Sequence, residues 1–206
     1  MMEANKPRME VKDLKQYFPV SRKYTVKEVD GVSFSIYPGE IYGLVGESGS
    51  GKSTIGRAII RLYDPTAGKI FFEGMDISGH MDRETKERLR GDMQMIFQDP
   101  MACLNPRKKV IDIIAEGLDV QHRCATSQER SRKVAEILKR VGLAPEHALR
   151  YPHQFSGGQR QRIGIARALI MEPKVIIAAE GIPALAVSIT GRGGTRIKAL
   201  QEASGH

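Results

Sequence analysis

The pattern of polar and apolar residues is β-type over several short stretches in the first half of the chain. The clear case is residues 32–37, which read Val-Ser-Phe-Ser-Ile-Tyr, while residues 10–14, 69–73 and 93–98 are β-type stretches without strict alternation. A period of two places alternate side chains on one face of a β-strand. We therefore predict strands over all of these ranges.

Two continuous apolar runs predict strands that are buried. Residues 41–45 come after the turn signal Pro38-Gly39, and residues 175–179 come after a predicted helix. Short apolar runs bounded by turn signals are typical of strands inside a sheet. The first of these runs matters most, because a glycine-rich segment follows it directly.

A helical period appears between the strands and dominates residues 101–155. The spacing of three and four residues is clearest for Val134, Ile137, Leu138 and Val141. Gly142 fits the end of that helix. Further helices are predicted over residues 54–62, 83–90 and 156–171. The last of these has Ser156 as its candidate N-cap. Strands that alternate with helices predict an α/β fold with a helical insertion.

The strand predicted at 41–45 leads into a glycine-rich motif of the form G-x-x-x-x-G-K-S. Its glycines allow the backbone to curl around an anion, and the start of the following helix adds a favourable dipole. In such a phosphate-binding loop (P-loop), we expect Lys52 to reach the β- and γ-phosphates and the Ser53 hydroxyl to hold Mg²⁺. The residues predicted to bind nucleotide here are Gly46, Glu47, Ser48, Gly49, Ser50, Gly51, Lys52, Ser53 and Thr54.

The composition fits one globular domain, or a domain with a small subdomain, since 41% of the 206 residues are hydrophobic. No apolar run is long enough to span a membrane, and residues 1–20 lack the apolar core of a secretory signal.

Cys103 and Cys124 have no metal-ligand spacing, so we expect free thiols in a reducing cytosol. The formal charge of +8 permits anionic partners. A solvated surface explains that charge more simply, because lysine and arginine are scattered along the chain.

A second glycine-rich helix start occurs at residues 155–159, which read Phe-Ser-Gly-Gly-Gln. A serine hydroxyl and glycine N–H groups at a helix start also suit an anion. With these two motifs, the chain resembles the ATP-binding subunits of ABC transporters. In that family the signature motif LSGGQ of one subunit caps the γ-phosphate held by the P-loop of another, and here Phe155 stands where leucine is usual. The resemblance implies that a partner's nucleotide is faced by Ser156, Gly157, Gly158 and Gln159.

The resemblance runs from about residue 9 to residue 178 and points to the importers of oligopeptides, dipeptides or nickel. Phrases typical of that branch are VDGVSF at 29–34, GLVGESG at 43–49, MIFQDP at 95–100, LNPR at 104–107 and YPHQFSGGQRQR at 151–162. The implied fold is a P-loop NTPase core of α/β class, with a small antiparallel β subdomain, a helical insertion subdomain and a truncated C-terminal part. Residues 1–206 are then an incomplete ABC ATP-binding domain, with 101–155 as the helical subdomain and 190–206 as a non-matching tail.

The same resemblance implies roles for residues outside the two glycine-rich motifs. Gln98 stands at the Q-loop position, where the family senses Mg²⁺ and the attacking water and contacts the membrane subunit. Glu180 stands where the family places its general base. An aromatic residue near the first strands stacks on adenine; Tyr24 is our choice and Tyr17 is the alternative.

The chain departs from the family pattern after residue 178. Ala179 stands at the Walker B position, where the family has the aspartate that orders Mg²⁺, and Ala186 replaces the D-loop aspartate. The only later histidine, His206, is interpreted as a tail residue rather than the family's switch histidine. Loss of one preorganised electrostatic group typically costs about 10²–10³ in rate, so we expect hydrolysis near background while nucleotide binding survives.

Three functional hypotheses remain open from the sequence. The first is an importer subunit that couples ATP binding and hydrolysis to the uptake of peptides or nickel. The second is a catalytically inactive, degenerate or truncated nucleotide-binding fragment. The third is an ABC ATPase outside transport, either in a phosphonate-degrading complex or in nucleic-acid handling, although the importer-type phrases disfavour nucleic acid.

The partners and the location are also implied by the resemblance. ATP and Mg²⁺ are the expected cofactors, and a second ABC ATPase subunit, identical or homologous, is expected to face the signature motif. Membrane permease subunits are expected to dock near Gln98 and the helical insertion, while a solute-binding protein acts indirectly. No nucleic-acid partner is expected. The expected location is cytoplasmic, peripheral on the inner face of the cell membrane.

Overall fold

The computed structural model describes residues 6–97 and 104–178, and beyond them only the backbone of residues 185–190 and 194–199. The chain divides into two compact units. The first comprises Met1–Lys86 with Ile182–His206, and the second comprises Glu87–Gly181.

The first unit contains a four-stranded antiparallel sheet. Its strands are β1 (Met9–Ser21), β2 (Tyr24–Ile36), β3 (Ala67–Phe72) and β4 (Met75–Asp76), in the spatial order β2-β1-β3-β4. The strands predicted at 10–14, 32–37 and 69–73 are thus confirmed as strands, but β1 continues seven residues past its predicted end and β2 begins eight residues before its predicted start. The two long strands β1 and β2 form one hairpin, which the sequence pattern showed only in part.

One face of this sheet is buried and carries the helix that follows the P-loop. The fully buried side chains on this side include Met9, Val11, Leu14, Ile70 and Phe72. Helix α1 (Lys52–Ile59) lies against β1 and β2 and buries Ile55, Ala58 and Ile59. It begins two residues before the predicted helix and ends earlier, because the backbone leaves the helical region at Arg61, where φ is +61°.

The strand predicted at 41–45 is not formed. Residues 37–47 have no strand assignment, and the Val45 side chain is 98% exposed. An apolar run becomes a buried strand only where neighbouring strands supply hydrogen-bond partners on each side. Within the described part of the first unit, no strand pairs with this segment. The apolar pattern was therefore insufficient evidence for a sheet position.

The second unit combines a short parallel strand pair with helices. Helix α2 (Arg83–Asp92) leads into it, and β5 (Met93–Ile96) pairs in parallel with β6 (Val175–Ala178). In chain order, the elements between β5 and β6 are α3 (Val110–Val120), α4 (Ser127–Arg140), two short 3₁₀ helices (Pro145–Leu149 and Pro152–Gln154) and α5 (Gly157–Leu169). Helix α5 packs against both α3 and β5, which fixes the start of α5 relative to this core.

Helix α4 confirms the helical period read from the sequence. Val134, Ile137 and Leu138 are buried, and the chain leaves the helix at Gly142, where φ is +74°. Thr126 caps its start by accepting a hydrogen bond from the Glu129 N–H at 3.1 Å. The interpretation of 101–155 as a separate subdomain stays a prediction.

The last described elements are β7 (Leu185–Thr190) and β8 (Gly194–Ala199), which pair antiparallel as a hairpin. The sequence interpretation placed no strand here. The alternating, partly β-branched run at 185–190 was the available signal. Across the described helices, none combines the length and apolar character needed to cross a bilayer.

Candidate functional site

The P-loop lies between β2 and α1 in the first unit. Residues 46–50 are exposed, whereas Gly51 is buried and forms the N-cap of α1 in a left-handed conformation, with φ at +83°. Gly49 also has a left-handed backbone, with φ at +82°. Non-glycine residues rarely adopt this region, so both glycines are required by the loop's path. The strand-side half of the predicted context is absent, but the loop and the helix are present.

Lys52 holds the loop together from inside. Its Nζ donates hydrogen bonds to the carbonyl oxygens of Gly46 and Glu47, both at 2.7 Å, and approaches the Ser50 Oγ at 3.3 Å. The carbonyls therefore point toward the ammonium group. A Cβ placed on Gly46 would lie 2.7 Å from the Ser50 Oγ, so the loop is tightly closed at this point. The lysine ammonium thus lies within the curl of the loop, and its predicted contact with phosphates stays a prediction.

The first turn of α1 offers a positive end to an anion. No side chain caps the helix start, and its first turn contains no acidic residue. A helix N-terminus carries roughly half a positive elementary charge, because its first N–H groups have no partner within the helix. Lys52 adds a full positive charge in the same turn. This combination suits a phosphate group.

The far end of α1 is fixed by Arg61. This side chain is only 7% exposed, and its guanidinium donates to the carbonyl oxygens of Ile77 at 2.6 Å and Gly79 at 3.1 Å, and also to that of Ser78. It also pairs with Asp64 at 2.7 Å. Arginine presents several donors in a rigid plane, so one side chain can hold several carbonyls at once. Helix α1 is therefore anchored at its C-terminal end.

The start of α1 has an anchor that the motif did not predict. The Thr54 hydroxyl donates to Glu28 Oε1 at 2.8 Å, and Thr54 is 2% exposed. Glu28 lies on β2, 26 residues earlier in the chain. No spacing rule connects two residues so far apart, so the sequence alone gave no signal for Glu28.

The two candidate adenine-stacking tyrosines differ in their surroundings. Tyr24 begins β2 and is 61% exposed. The Tyr17 hydroxyl bonds to Asp30, and the Lys27 ammonium lies 5.3 Å from the centre of its ring. The Asp30 hydrogen bond raises the pKa of the Tyr17 phenol and lowers the pKa of the Asp30 carboxyl. Because Tyr17 already has partners at its tip and face, Tyr24 stays our choice, and its role stays a prediction.

The signature motif lies in the second unit, at the start of α5. The Ser156 Oγ accepts from the Gln159 N–H at 3.3 Å, and Gln159 Oε1 accepts from the Ser156 N–H at 3.1 Å. This reciprocal pair is a capping box and confirms Ser156 as the N-cap. Gly157 and Gly158 are exposed, with nothing within 4 Å of a Cβ built on either. The helix start is thus capped by the side chains of Ser156 and Gln159, while no described residue fills the space beside Gly157 and Gly158.

The segment before the signature motif is fixed by packing. Phe155 is buried and meets the His147 ring edge-to-face, with ring centres 5.2 Å apart. The Arg160 Nε donates to the Phe155 carbonyl at 2.8 Å. An aromatic residue at the position where leucine is usual is therefore accommodated as part of the core.

The predicted catalytic residues lie outside the described residues. Gln98 falls between the two fully described ranges, and Ala179 and Glu180 follow the end of the second. Their roles stay predictions. In the described part of the chain, no group of three or more histidine, cysteine, aspartate or glutamate residues is arranged to hold a metal ion.

Comparison with known proteins identifies the family. The model of the ABC transporter family matches residues 29–182. The chain is 56% identical over 197 residues to the oligopeptide transport ATP-binding protein OppF of Bacillus subtilis (strain 168), covering 96% of this chain and 64% of that protein. It is 53% identical to the dipeptide transport ATP-binding protein DppF of Lactococcus lactis subsp. cremoris (strain MG1363), covering 91% and 61% respectively.

The fold has solved counterparts as well. A dimeric, post-hydrolysis structure of the ATP-binding cassette MJ0796, bound to ADP and Pi, is 29% identical, has a TM-score of 0.76 and covers 84% of this chain and 74% of that chain. The chain spans 64% of the length of the OppF relative, and the P-loop and signature motif both lie within the matched range. The chain belongs to the ABC transporter family and has the fold of its ATP-binding cassettes.

Proposed function

We propose that this chain is the ATP-binding subunit of a peptide importer. The observation that carries the proposal is the P-loop geometry, in which Gly51 starts α1 and Lys52 lies inside the curl of residues 46–50. The names of the OppF and DppF relatives support peptides as the transported class. The transported peptide itself is not expected to touch this subunit.

The residues present fit Mg·ATP. The glycine backbone, the Lys52 ammonium and the positive end of α1 suit the phosphates, and Tyr24 offers an exposed ring for adenine. Mg²⁺ usually keeps several waters and takes few protein ligands beside substrate phosphates, and within the described residues the Ser53 hydroxyl is proposed as one such ligand. Gln98 is proposed as a further ligand. When bound, the metal neutralises charge on the phosphates.

Assembly is proposed to complete the nucleotide site. The exposed glycines of the signature motif are proposed to face the nucleotide of a second ABC ATPase subunit. The MJ0796 structure, a dimer with bound ADP and Pi, supports the pairing of two such subunits. Permease subunits are proposed to hold the pair at the inner face of the membrane, with a solute-binding protein acting indirectly.

Hydrolysis is proposed to be weak in this chain. Ala179 presents a methyl group where the family has the carboxylate that orders Mg²⁺, while Glu180 is retained at the general-base position. Phosphoryl transfer depends on positioning and charge neutralisation, and one missing electrostatic group costs about 10²–10³ in rate. The alternative function, a nucleotide-binding subunit that no longer hydrolyses, rests on the same observation.

Binding is tested by titration of the chain with Mg·ATP. We expect micromolar affinity, and Lys52→Ala should weaken it by about tenfold to a hundredfold, because charge-assisted bonds to phosphate are lost. Lys69→Ala is the matched control, since Lys69 lies in the same unit and pairs with Asp76 at 2.6 Å. Equal affinity in the wild type and Lys52→Ala would contradict the proposal.

Hydrolysis is tested by Ala179→Asp. We expect wild-type phosphate release near background and an increase of about 10²-fold in the variant. Robust Mg²⁺-dependent turnover by the wild type, abolished in Lys52→Ala, would show that the family's carboxylate is not needed here.

A further inference from the structure

Glu28 on β2 contacts the phosphate-binding segment at two points. Its main-chain oxygen would lie 2.5 Å from a Cβ built on Gly51. Its side-chain Oε1 accepts a hydrogen bond from the Thr54 hydroxyl at 2.8 Å. One residue of the sheet therefore meets both ends of a four-residue segment that contains Lys52 and Ser53.

The first contact is a close approach of backbone to backbone. Gly51 is the N-cap of α1, and the Val29 side chain, 3% exposed, lies 3.3 Å from the same Cβ position. Only glycine fits between the strand and the helix start at this distance. The contact fixes how far the helix start stands from β2.

The second contact fixes the rotation of the helix. Thr54 is three residues after Gly51, which is close to one helical turn, so both lie toward the same side of α1. Thr54 is 2% exposed, and its single hydroxyl proton is directed to Glu28. With translation and rotation both fixed, the positions of the intervening Lys52 and Ser53 are fixed as well.

Charge favours the same arrangement. The first turn of α1 has no acidic residue and no side-chain cap of its own. A carboxylate near a helix N-terminus interacts favourably with the macrodipole. Glu28 thus provides, from a different element, a negative group near a helix start that lacks one.

We propose that Glu28 is a positioning residue for the nucleotide site. It acts through Gly51 and Thr54 and orients Lys52 and Ser53 without contributing a ligand to the nucleotide. The alternative is that a carboxylate so close to a phosphate site only repels phosphate, in which case its removal would tighten binding.

Three variants separate these outcomes by Mg·ATP titration, a readout that rests on the proposed function. Glu28→Ala removes the acceptor and should weaken affinity by about tenfold. Glu28→Gln keeps an oxygen acceptor without charge and should stay within about threefold of the wild type. Glu10→Ala is the matched control, because Glu10 lies on the same sheet and pairs with Lys12 at 3.0 Å; it should leave affinity unchanged.

A second readout needs no nucleotide. Amide hydrogen exchange over residues 46–54 should be faster in Glu28→Ala and in Thr54→Val than in the wild type. The double variant should exchange little faster than either single variant, because both substitutions break the same hydrogen bond. This comparison decides the inference even if the wild type fails to bind ATP, an outcome that would refute only the proposed function. Should Glu28→Ala fail to fold, Thr54→Val against the wild type supplies the exchange test.

The proposal is overturned by either of two results. Glu28→Ala could bind Mg·ATP as tightly as the wild type or more tightly, which would indicate repulsion without positioning. Alternatively, exchange over residues 46–54 could be unchanged in both Glu28→Ala and Thr54→Val.

Discussion

The two glycine-rich helix starts differ in how their first turns are completed. At α5, Ser156 and Gln159 exchange two hydrogen bonds and close the helix start with its own side chains. At α1, the N-cap is Gly51, which has no side chain, and no acidic residue follows in the first turn. The signature helix is therefore capped by its own side chains, whereas the P-loop helix has no side-chain cap and is left to receive a group from another element or from a ligand.

Under the proposed function, we expect this difference to give unequal roles to two motifs that look alike in sequence. The P-loop surrounds Lys52 with carbonyls and relies on a neighbouring strand for its position. The signature motif exposes two glycines on a helix that is already capped and packed. We infer that the isolated chain binds nucleotide at the P-loop first, and that the signature motif is a preformed surface for a partner's nucleotide.

The largest effect is expected from closing the space at the P-loop helix start. In Gly51→Ala, the new Cβ would lie 2.5 Å from the Glu28 carbonyl oxygen. The alanine would also have to adopt a left-handed backbone conformation, so the loop must shift. Mg·ATP affinity should fall by more than about tenfold, measured by titration. Gly49→Ala is the matched control, since it has the same backbone strain but nothing within 4 Å of its Cβ. Equal losses in the two variants would show that strain, and not the contact with β2, governs the loop.

A smaller effect is expected from removing the cap of the signature helix. Ser156→Ala should destabilise the protein by about 1 kcal/mol, because the Gln159 N–H loses its side-chain acceptor. Denaturant unfolding measures this change. Mg·ATP affinity of the isolated chain should remain unchanged. A clear loss of affinity in this variant would contradict the unequal roles inferred above.

The smallest effect is a pH dependence in the sheet that supports the P-loop. The hydrogen bond from Lys69, together with the Ser78 N–H, lowers the pKa of Asp76 to about 2. A carboxyl with a lowered folded-state pKa adds stability above its unfolded value of about 3.9, and this stability is lost as pH falls toward the folded value. The wild type should therefore have a higher melting temperature than Asp76→Asn at neutral pH, and this difference in melting temperature should shrink between about pH 4 and about pH 2. A gap that stays constant over that range would exclude the ionised carboxylate as its source.

The parts of the fold predicted correctly depend on local patterns. Helix α4 was found because Val134, Ile137 and Leu138 share one face, and its end was found because Gly142 permits a positive φ. Ser156 was found as an N-cap because serine favours the position before a helix, and the structure adds the reciprocal pair with Gln159. Each of these signals lies within one turn or two of helix, where spacing determines which side chains meet.

The parts that were missed depend on contacts between distant residues. The run at 41–45 has the composition of a buried strand, yet the described part of its unit supplies no pairing strand, and Val45 is exposed. The contact of Glu28 with Thr54 joins residues 26 positions apart. Neither pairing nor such a contact can be derived from spacing, because both depend on how separate elements pack together. The glycine at position 51 was the one local hint of a close approach.

The central claim is that the P-loop, and not the signature motif, is the phosphate site of the isolated chain. Amide hydrogen exchange with and without Mg·ATP tests it most directly, with both helix starts followed in the same sample. We predict slower exchange over residues 46–54 on addition of Mg·ATP, no change over residues 156–159, and no response at either place in Lys52→Ala. Protection that appears only at residues 156–159, or that persists in Lys52→Ala, would contradict the account.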